Sequence, residues 1–165
     1  MDKKTWGDGP WQTEPDKLEF NHNGYDCILI RNRGGAWCGY TQIPKDHPWF
    51  KDLGILDERI DVHGGVTYQG NRMDDDRYFV GFDCAHWLDL SPAYRALLRE
   101  MEVGKFGAHL KAIEDKYRER LPKIMEEDIY KDIEFAKNEC IKMADQIHAG
   151  RLEKPKENDG NKDTN

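Results

Sequence analysis

The sequence lacks the features that mark several large classes of protein. It has no run of about 18 apolar residues, so no transmembrane helix is predicted. No apolar segment follows the lysines at the N-terminus, so no secretory signal peptide is predicted either. The four cysteines are far apart and include no C-x-x-C pair, which argues against a disulfide framework and a zinc finger. These absences predict a cytoplasmic protein with reduced thiols.

Positively charged residues are also fewer than negatively charged ones. The chain has 25 Lys and Arg against 32 Asp and Glu, and its net charge is −7. Such a chain has no general attraction for phosphate backbones, so nucleic acid is not an expected partner. The 165 residues suit one domain with a sizeable core. We predict an irregular arm over residues 1–24, a single domain over 25–150 and a disordered charged tail over 151–165.

The first half of the domain reads as short strands separated by turn residues. The predicted strands are 25–32, 36–43, 59–69 and 77–86. The paired glycines of "RGG" (33–35) predict a hairpin turn, and residues 51–59 are predicted to be a connecting loop. This order favours an antiparallel meander of about four strands.

The second half reads as helical. Ser91 and Pro92 predict a helix start, and a second helical pattern covers 108–121. The last pattern, from Asp128 to Ala149, has an apolar stripe at spacings of three and four, closed by Gly150 as a C-cap. The stripe consists of Ile129, Ile133, Ala136, Cys140, Met143 and Ile147. It serves either to pack on the sheet or to form a homodimer seam. The fold class is therefore α+β: a small antiparallel sheet followed by two or three helices.

The segment "VHGGVTY" (62–68) holds the first candidate site residues. If it is a strand, Val62, Val66 and Tyr68 point to the core, while His63 and Thr67 point away from it. Pairing with strand 77–86 then brings His63 towards Asp83, and a carboxylate would fix the tautomer of the imidazole. Gly64 and Gly65 have no Cβ atoms, which lets a ligand approach the backbone.

Other interpretations of these residues stay open. A glycine in a strand also marks a bulge, and a His–Asp pair also satisfies buried polar groups. His86 lies beside Asp89 at a strand end, where it either caps the strand or joins the site. These side chains, with His47 on a loop, include enough ligands for a metal ion, but no diagnostic spacing assigns one. Cys84 is predicted to be a buried thiol rather than a nucleophile.

Aromatic side chains surround these polar residues in the sequence. Trp37, Tyr40 and Tyr68 could form the walls of a small-molecule pocket, together with Thr67 and the two glycines. Each of these aromatic residues could equally belong to the core.

Several motifs resemble a family of small uncharacterised proteins from phages, prophages and scattered bacteria. They are "WCGY" (37–40), "P-x-x-H-P" (44–48), "VHGGVTY" (62–68), "GFDCAH-x-x-D" (81–89) and "AKNECIKMADQI" (136–147). The resemblance covers residues 25–150. It implies that "HGG-x-TY" and "GFDCAH" act together, and that the last helix belongs to the same domain.

Three functions are compatible with these observations. The first is a phage-type accessory protein that binds a small polar or nucleotide-like ligand, or that blocks a host protein. The second is a hydrolase that uses His63, Asp83 and His86, with or without a metal ion. The third is a structural or protein-interaction module, either a monomer or a homodimer through the C-terminal helix. The sequence does not identify a cofactor.

Overall fold

The computed structural model of the chain describes residues 1–72, 76–103 and 128–152, apart from the side chains of 101–103. The predicted helix over 108–121 lies outside these residues, as does the tail from 153 onwards. The structure confirms the α+β class: a five-stranded antiparallel sheet precedes the long C-terminal helix. The strands are β1 (Lys17–His22), β2 (Tyr25–Arg31), β3 (Trp37–Gln42), β4 (Tyr68–Asn71) and β5 (Tyr78–Asp83), in the order β1-β2-β3-β5-β4. The helices are α1 (Leu53–Arg59), α2 (Pro92–Val103) and α3 (Ile133–Leu152).

Strand β1 lies within the segment that we predicted to be irregular, so that prediction is wrong for residues 17–22. Asn23 and Gly24 both have positive φ angles, 52° and 85°, and join β1 to β2. Asn-Gly is the dipeptide that best fits such a tight hairpin turn. The rest of the arm docks on the body, because Trp6 and Trp11 are buried beside Leu90.

The predicted strand over 59–69 is also wrong, except at its end in β4. Gly64 and Gly65 have φ angles of 68° and 82°, which a strand does not contain. The Gly65 N–H donates to the Val62 carbonyl and closes a turn. The valines flanking the glycines imitate strand alternation, although only Val62 of the two is fully buried.

Residues 53–59 form α1 rather than the predicted loop. Asp52 caps this helix by accepting a hydrogen bond from the Ile55 N–H at 3.1 Å. With seven residues the helix is too short to show an apolar period, and Leu56 is its single fully buried residue. The helix was therefore missed because it is short and follows closely after Pro48, a residue typical of loops.

Helix α3 covers one face of the sheet with its apolar stripe. It packs against β2 and β3, and the stripe residues from Ala136 to Ile147 are fully buried, whereas Ile129 precedes the helix and is exposed. The predicted packing on the sheet is therefore confirmed, and a dimer through α3 would have to use its polar face. The helix begins later than predicted, with Asp132 accepting from the Phe135 N–H. Gly150 lies inside α3 rather than at a C-cap, because the helix continues to Leu152. Glycine is needed there because a Cβ would be 2.0 Å from the Trp49 ring.

Across the described ranges, no helix has both the length and the apolar character that crossing a bilayer requires.

His47 connects the loop after β3 to the C-terminal half of α3. Its Nδ1 accepts from the Trp49 N–H at 3.0 Å, and its Nε2 donates to the Ile147 carbonyl at 2.9 Å. The ring is 3% exposed. Burial lowers the pKa of His47, the nearby Arg151 adds to this effect, and the Ile147 hydrogen bond and Asp46 oppose it. A protonated ring would lose the hydrogen bond that Nδ1 accepts.

The depressed pKa of His47 predicts a loss of stability at acidic pH. Below about pH 6.5 the unfolded chain binds a proton at this ring more readily than the folded protein does. The free energy of unfolding should therefore be fully retained above that pH and fall as the pH drops further. Urea titrations at pH 8 and pH 5 measure the decrease. His47→Gln, which can keep both hydrogen bonds, should reduce it, and His148→Gln should not.

Candidate metal centre

The turn after β5 brings two candidate residues together. Asp83 ends the strand, and its Oδ1 accepts from the Ala85 N–H at 3.0 Å. The chain then reverses, with the Asp89 N–H donating to the His86 carbonyl at 3.0 Å. Leu88 adopts a φ of 69°, which is uncommon for a branched residue. This turn places the side chains of His86 and Asp89 on the same side.

The glycine turn at 62–65 supplies the second histidine. The His63 N–H donates to Glu139 of α3 at 2.7 Å, which anchors the turn to the helix. The His86 ring packs directly against Gly64. A Cβ at that position would be only 2.0 Å from Cε1 of the ring. Gly64 therefore provides both the positive φ of the turn and the space for His86.

The carboxylate of Asp89 lies between the two imidazoles. His63 Nε2 is 2.7 Å from Asp89 Oδ2, and His86 Nδ1 is 3.5 Å from the same oxygen. The backbone N–H of His86 also donates to this oxygen, at 3.1 Å. The side chain of Asp89 is only 3% exposed, whereas those of His63 and His86 are 23% and 31% exposed. A buried carboxylate is thus held beneath two imidazoles that solvent can reach.

These three side chains have the spacing of metal ligands. One nitrogen or oxygen from each lies within 4.8 Å of the other two. Ligands at about 2.0–2.1 Å from a tetrahedral zinc ion lie about 3.3 Å apart. The distances of 2.7 and 3.5 Å from Asp89 to His63 and His86 lie on either side of that value. In addition, His86 Nδ1 is buried and has no hydrogen-bond partner among the described residues. The group therefore fits a two-histidine, one-carboxylate site.

The first turn of α3 and the residues before it lie beside the group. The Phe135 ring packs edge-on against His63, with centroids 5.2 Å apart. Lys131 Nζ is 4.0 Å from Asp89 Oδ1, the oxygen that the histidines do not contact. The Phe135 ring thus limits the movement of the His63 ring, and Lys131 adds a positive charge beside Asp89.

The other predicted catalytic and metal-binding residues lie elsewhere. Asp83, which caps its own turn, is not part of the group with His63 and His86. His47 is buried beneath α3. Cys84 is 1% exposed, and burial together with nearby carboxylates raises the pKa of its thiol well above the usual range. A buried thiol with a raised pKa supplies no thiolate for nucleophilic chemistry.

The predicted ligand-binding residues divide between several places. Trp37 is fully buried in the core, beneath the Arg31 guanidinium. Tyr40 and Tyr68 contact each other edge-on, 5.2 Å apart, and strand alternation places Tyr40 on the face opposite α3. Thr67 is exposed. Only Gly64 and Gly65 adjoin the histidine group, as parts of the turn that carries His63.

Two neighbours of the site were not predicted to lie there, although one of them, Glu139, belongs to the motif at 136–147. Glu139 and Lys131 come from the end of the described chain, more than 40 residues after Asp89. Asp89 itself was considered as a metal ligand, but its central position depends on the positive φ of Leu88. Only the folded turn shows this.

Fold and site together describe a small α+β domain that holds a His–His–Asp group beside one end of its central strands. No protein-family model matches this chain, and neither does any curated protein or solved structure.

Proposed function

We propose that this protein is a metal-dependent hydrolase that binds one divalent transition-metal ion, such as zinc, through His63, His86 and Asp89. The observation that carries the proposal is the convergence of one ligand atom from each residue within 4.8 Å, around a buried carboxylate. Neutral imidazole and carboxylate are ligands that zinc accepts in proteins.

The number of ligands favours catalysis over a purely structural role. Structural zinc sites generally have four protein ligands, whereas catalytic sites have three and leave one position for water or substrate. Within the described part of the chain, this group has three such residues. Partial exposure of both imidazoles leaves a path from solvent to the open position. Water bound there would become a nucleophile at neutral pH.

A second candidate is metal-dependent capture of a small polar ligand without turnover. It is favoured by the state of the neighbouring carboxylate, because Glu139 already accepts a hydrogen bond from the His63 backbone N–H at 2.7 Å and is thereby held in a structural role rather than that of a general base. Sequestration of a small polar signal, which the motif resemblance made conceivable, belongs to this candidate. Both candidates use the same metal site and differ in whether a reaction follows.

Metal binding tests the proposal directly. Metal-free protein in equilibrium dialysis should take up one equivalent of zinc, and His63→Ala, His86→Ala and Asp89→Asn should each weaken binding by about 100-fold or more, because each removes one of three ligands. His22→Ala is the matched control, since it removes the histidine of an exposed His–Asp pair, His22 with Asp145. Its zinc affinity should equal that of the wild type.

Turnover assays separate the two candidates, and the zinc measurements can refute both. Zinc-loaded protein assayed against panels of phosphate and carboxylic esters should show turnover that Asp89→Asn abolishes. Stoichiometric zinc without turnover would favour ligand capture. Zinc binding that survives all three substitutions, or no zinc binding at all, would refute the site.

A further inference from the structure

Lys131 is the one described cation that contacts the carboxylate of the candidate metal centre. It directly precedes α3, and its side chain is 21% exposed. The ammonium lies 4.9 Å from the centre of the Phe135 ring. Its distance of 4.0 Å from Asp89 Oδ1 is too long for a hydrogen bond. Lys131 therefore approaches the site without being tied to it.

The three donor hydrogens of this ammonium have no acceptor within the described residues. A partly buried charged donor without an acceptor is costly unless a ligand or water completes it. Asp89 directs Oδ2 to the histidines and Oδ1 to Lys131. The ammonium and the two histidine ligand atoms thus lie on two sides of the Asp89 carboxylate. The flexible four-carbon stem allows Lys131 to reach a group that is bound next to this carboxylate.

The charge around the site points to an anionic ligand. A bound divalent cation together with the Lys131 ammonium would outweigh the carboxylates of Asp89 and Glu139. The site would therefore be locally positive, although the whole chain has a net charge of −7. Fields of this kind concentrate ligands of the opposite charge in a site.

We propose that Lys131 binds the anionic group of the substrate, so that the substrate class is one with a phosphate or a carboxylate next to the atom bound at the metal. This inference rests on the proposed metal site. The shared chemistry is an oxyanion that accepts charge-assisted hydrogen bonds from the ammonium while another of its oxygens faces the open coordination position.

Calorimetric titration of the zinc-loaded protein tests this role, with inorganic phosphate in one arm and acetate in the other. At least one of the anions should bind, and the arm with the higher affinity identifies phosphate or carboxylate. Lys131→Ala should weaken that binding by about tenfold or more, because it removes a hydrogen bond from a charged group. Lys131→Arg, which keeps the charge and the donors, should retain most of the affinity. Lys142→Ala is the matched control, since it removes an exposed lysine of α3 that pairs with Asp61.

Zinc affinity, measured on the same variants, distinguishes the two proposals. Lys131→Ala should bind zinc within about twofold of the wild type. A large loss of zinc affinity in Lys131→Ala would show that Lys131 positions Asp89 instead, and would overturn its role in substrate binding. Unchanged anion binding in Lys131→Ala would overturn it as well, while leaving the metal site intact. A wild-type protein that takes up no zinc would refute the metal site itself.

Discussion

Replacing Glu14 by glutamine should lower the free energy of unfolding by about 3–5 kcal/mol, the range observed when one partner of a buried ion pair is removed. Glu14 is 10% exposed, and its partner Arg31 is fully buried. The Glu14 Oε2 accepts hydrogen bonds from the Arg31 guanidinium and the Tyr130 hydroxyl. Glutamine keeps the shape of the side chain but removes the carboxylate that contacts the Arg31 guanidinium most closely. The remaining counter-ion among the described residues is Asp16, with its Oδ1 3.4 Å from Arg31 Nε.

The effect is large because this carboxylate connects distant parts of the chain. Its Oε1 accepts from the Ile133 N–H, at the start of α3, at 3.1 Å. Arg31 donates to the Gly35 carbonyl and lies over the Trp37 ring. The N-terminal arm, the β2–β3 hairpin and the beginning of α3 are therefore joined at one side chain.

Urea unfolding at neutral pH measures the loss. The matched control is Glu19→Gln, since Glu19 forms an exposed pair with Lys17 and should contribute no more than about 1 kcal/mol. A Glu14→Gln variant within about 1 kcal/mol of the wild type would contradict the assigned role of this ion pair.

The pH dependence of stability gives a second measurement on the same variant. Burial alone would raise the pKa of Glu14, but hydrogen bonds from Tyr130 and Ile133 and the Arg31 charge lower it below its usual value. The folded protein therefore takes up a proton here less readily than the unfolded chain. The resulting stability is present above the unfolded pKa, about 4.3, and is lost as the pH falls through the folded pKa. Glu14→Gln should lack this part of the acid transition.

Replacing Gly64 by alanine should weaken zinc binding by about 100-fold and reduce stability by about 2–4 kcal/mol. The stability loss combines the strain of a positive φ with overpacking. Because the new Cβ would be 2.0 Å from the His86 ring, the ring must move, and one metal ligand is then out of position. Zinc titration and urea unfolding measure the two losses.

Gly65→Ala is the matched control for this substitution. Gly65 has a similar φ, 82°, but a Cβ there would meet no atom within 4 Å. It should lose about 1–2 kcal/mol through backbone strain and keep its zinc affinity. Equal zinc affinities in the two variants would show that the His86 ring does not need the space above Gly64. The imidazole NMR signals of the metal-free protein report the position of the ring independently.

Much of the fold was predictable because several segments have strong apolar patterns. The predicted strands 25–32 and 36–43 contain β2 and β3, and 77–86 contains β5. Helix α3 was predictable from a stripe that extends over several turns. β1 was missed because it follows a segment rich in Gly, Pro and Asp, although Leu18 and Phe20 alternate with polar residues as in a half-buried strand and Asn23-Gly24 was a usable hairpin signal. At residues 60–67 the apolar alternation was misleading. The sequence does not show the φ angles of Gly64 and Gly65, so a glycine turn in this segment looks the same as a strand that contains two glycines.

The candidate site was predictable only in part. Sequence reasoning identified His63 and His86 because both lie in short segments rich in polar residues, but it expected strand register to bring His63 to Asp83. The structure brings His63 to Asp89 instead, through two turns. Such turns depend on single φ angles, at Gly64 and Leu88, and a change in either would redirect a side chain. Lys131 and Glu139 reach the site through tertiary packing, which no local pattern encodes.

The late position of α3 in the chain has a consequence for biosynthesis. This helix covers the core face of the sheet, and it provides the partners of His47, His63 and Glu14. Until α3 leaves the ribosome, the apolar face of the sheet is uncovered, and Glu14, the partner of Arg31, lacks its hydrogen bond from Ile133. Folding that depends on such distant contacts is slow, and it exposes aggregation-prone surface in the meantime. The nascent chain should therefore depend on chaperone binding until α3 has left the ribosome.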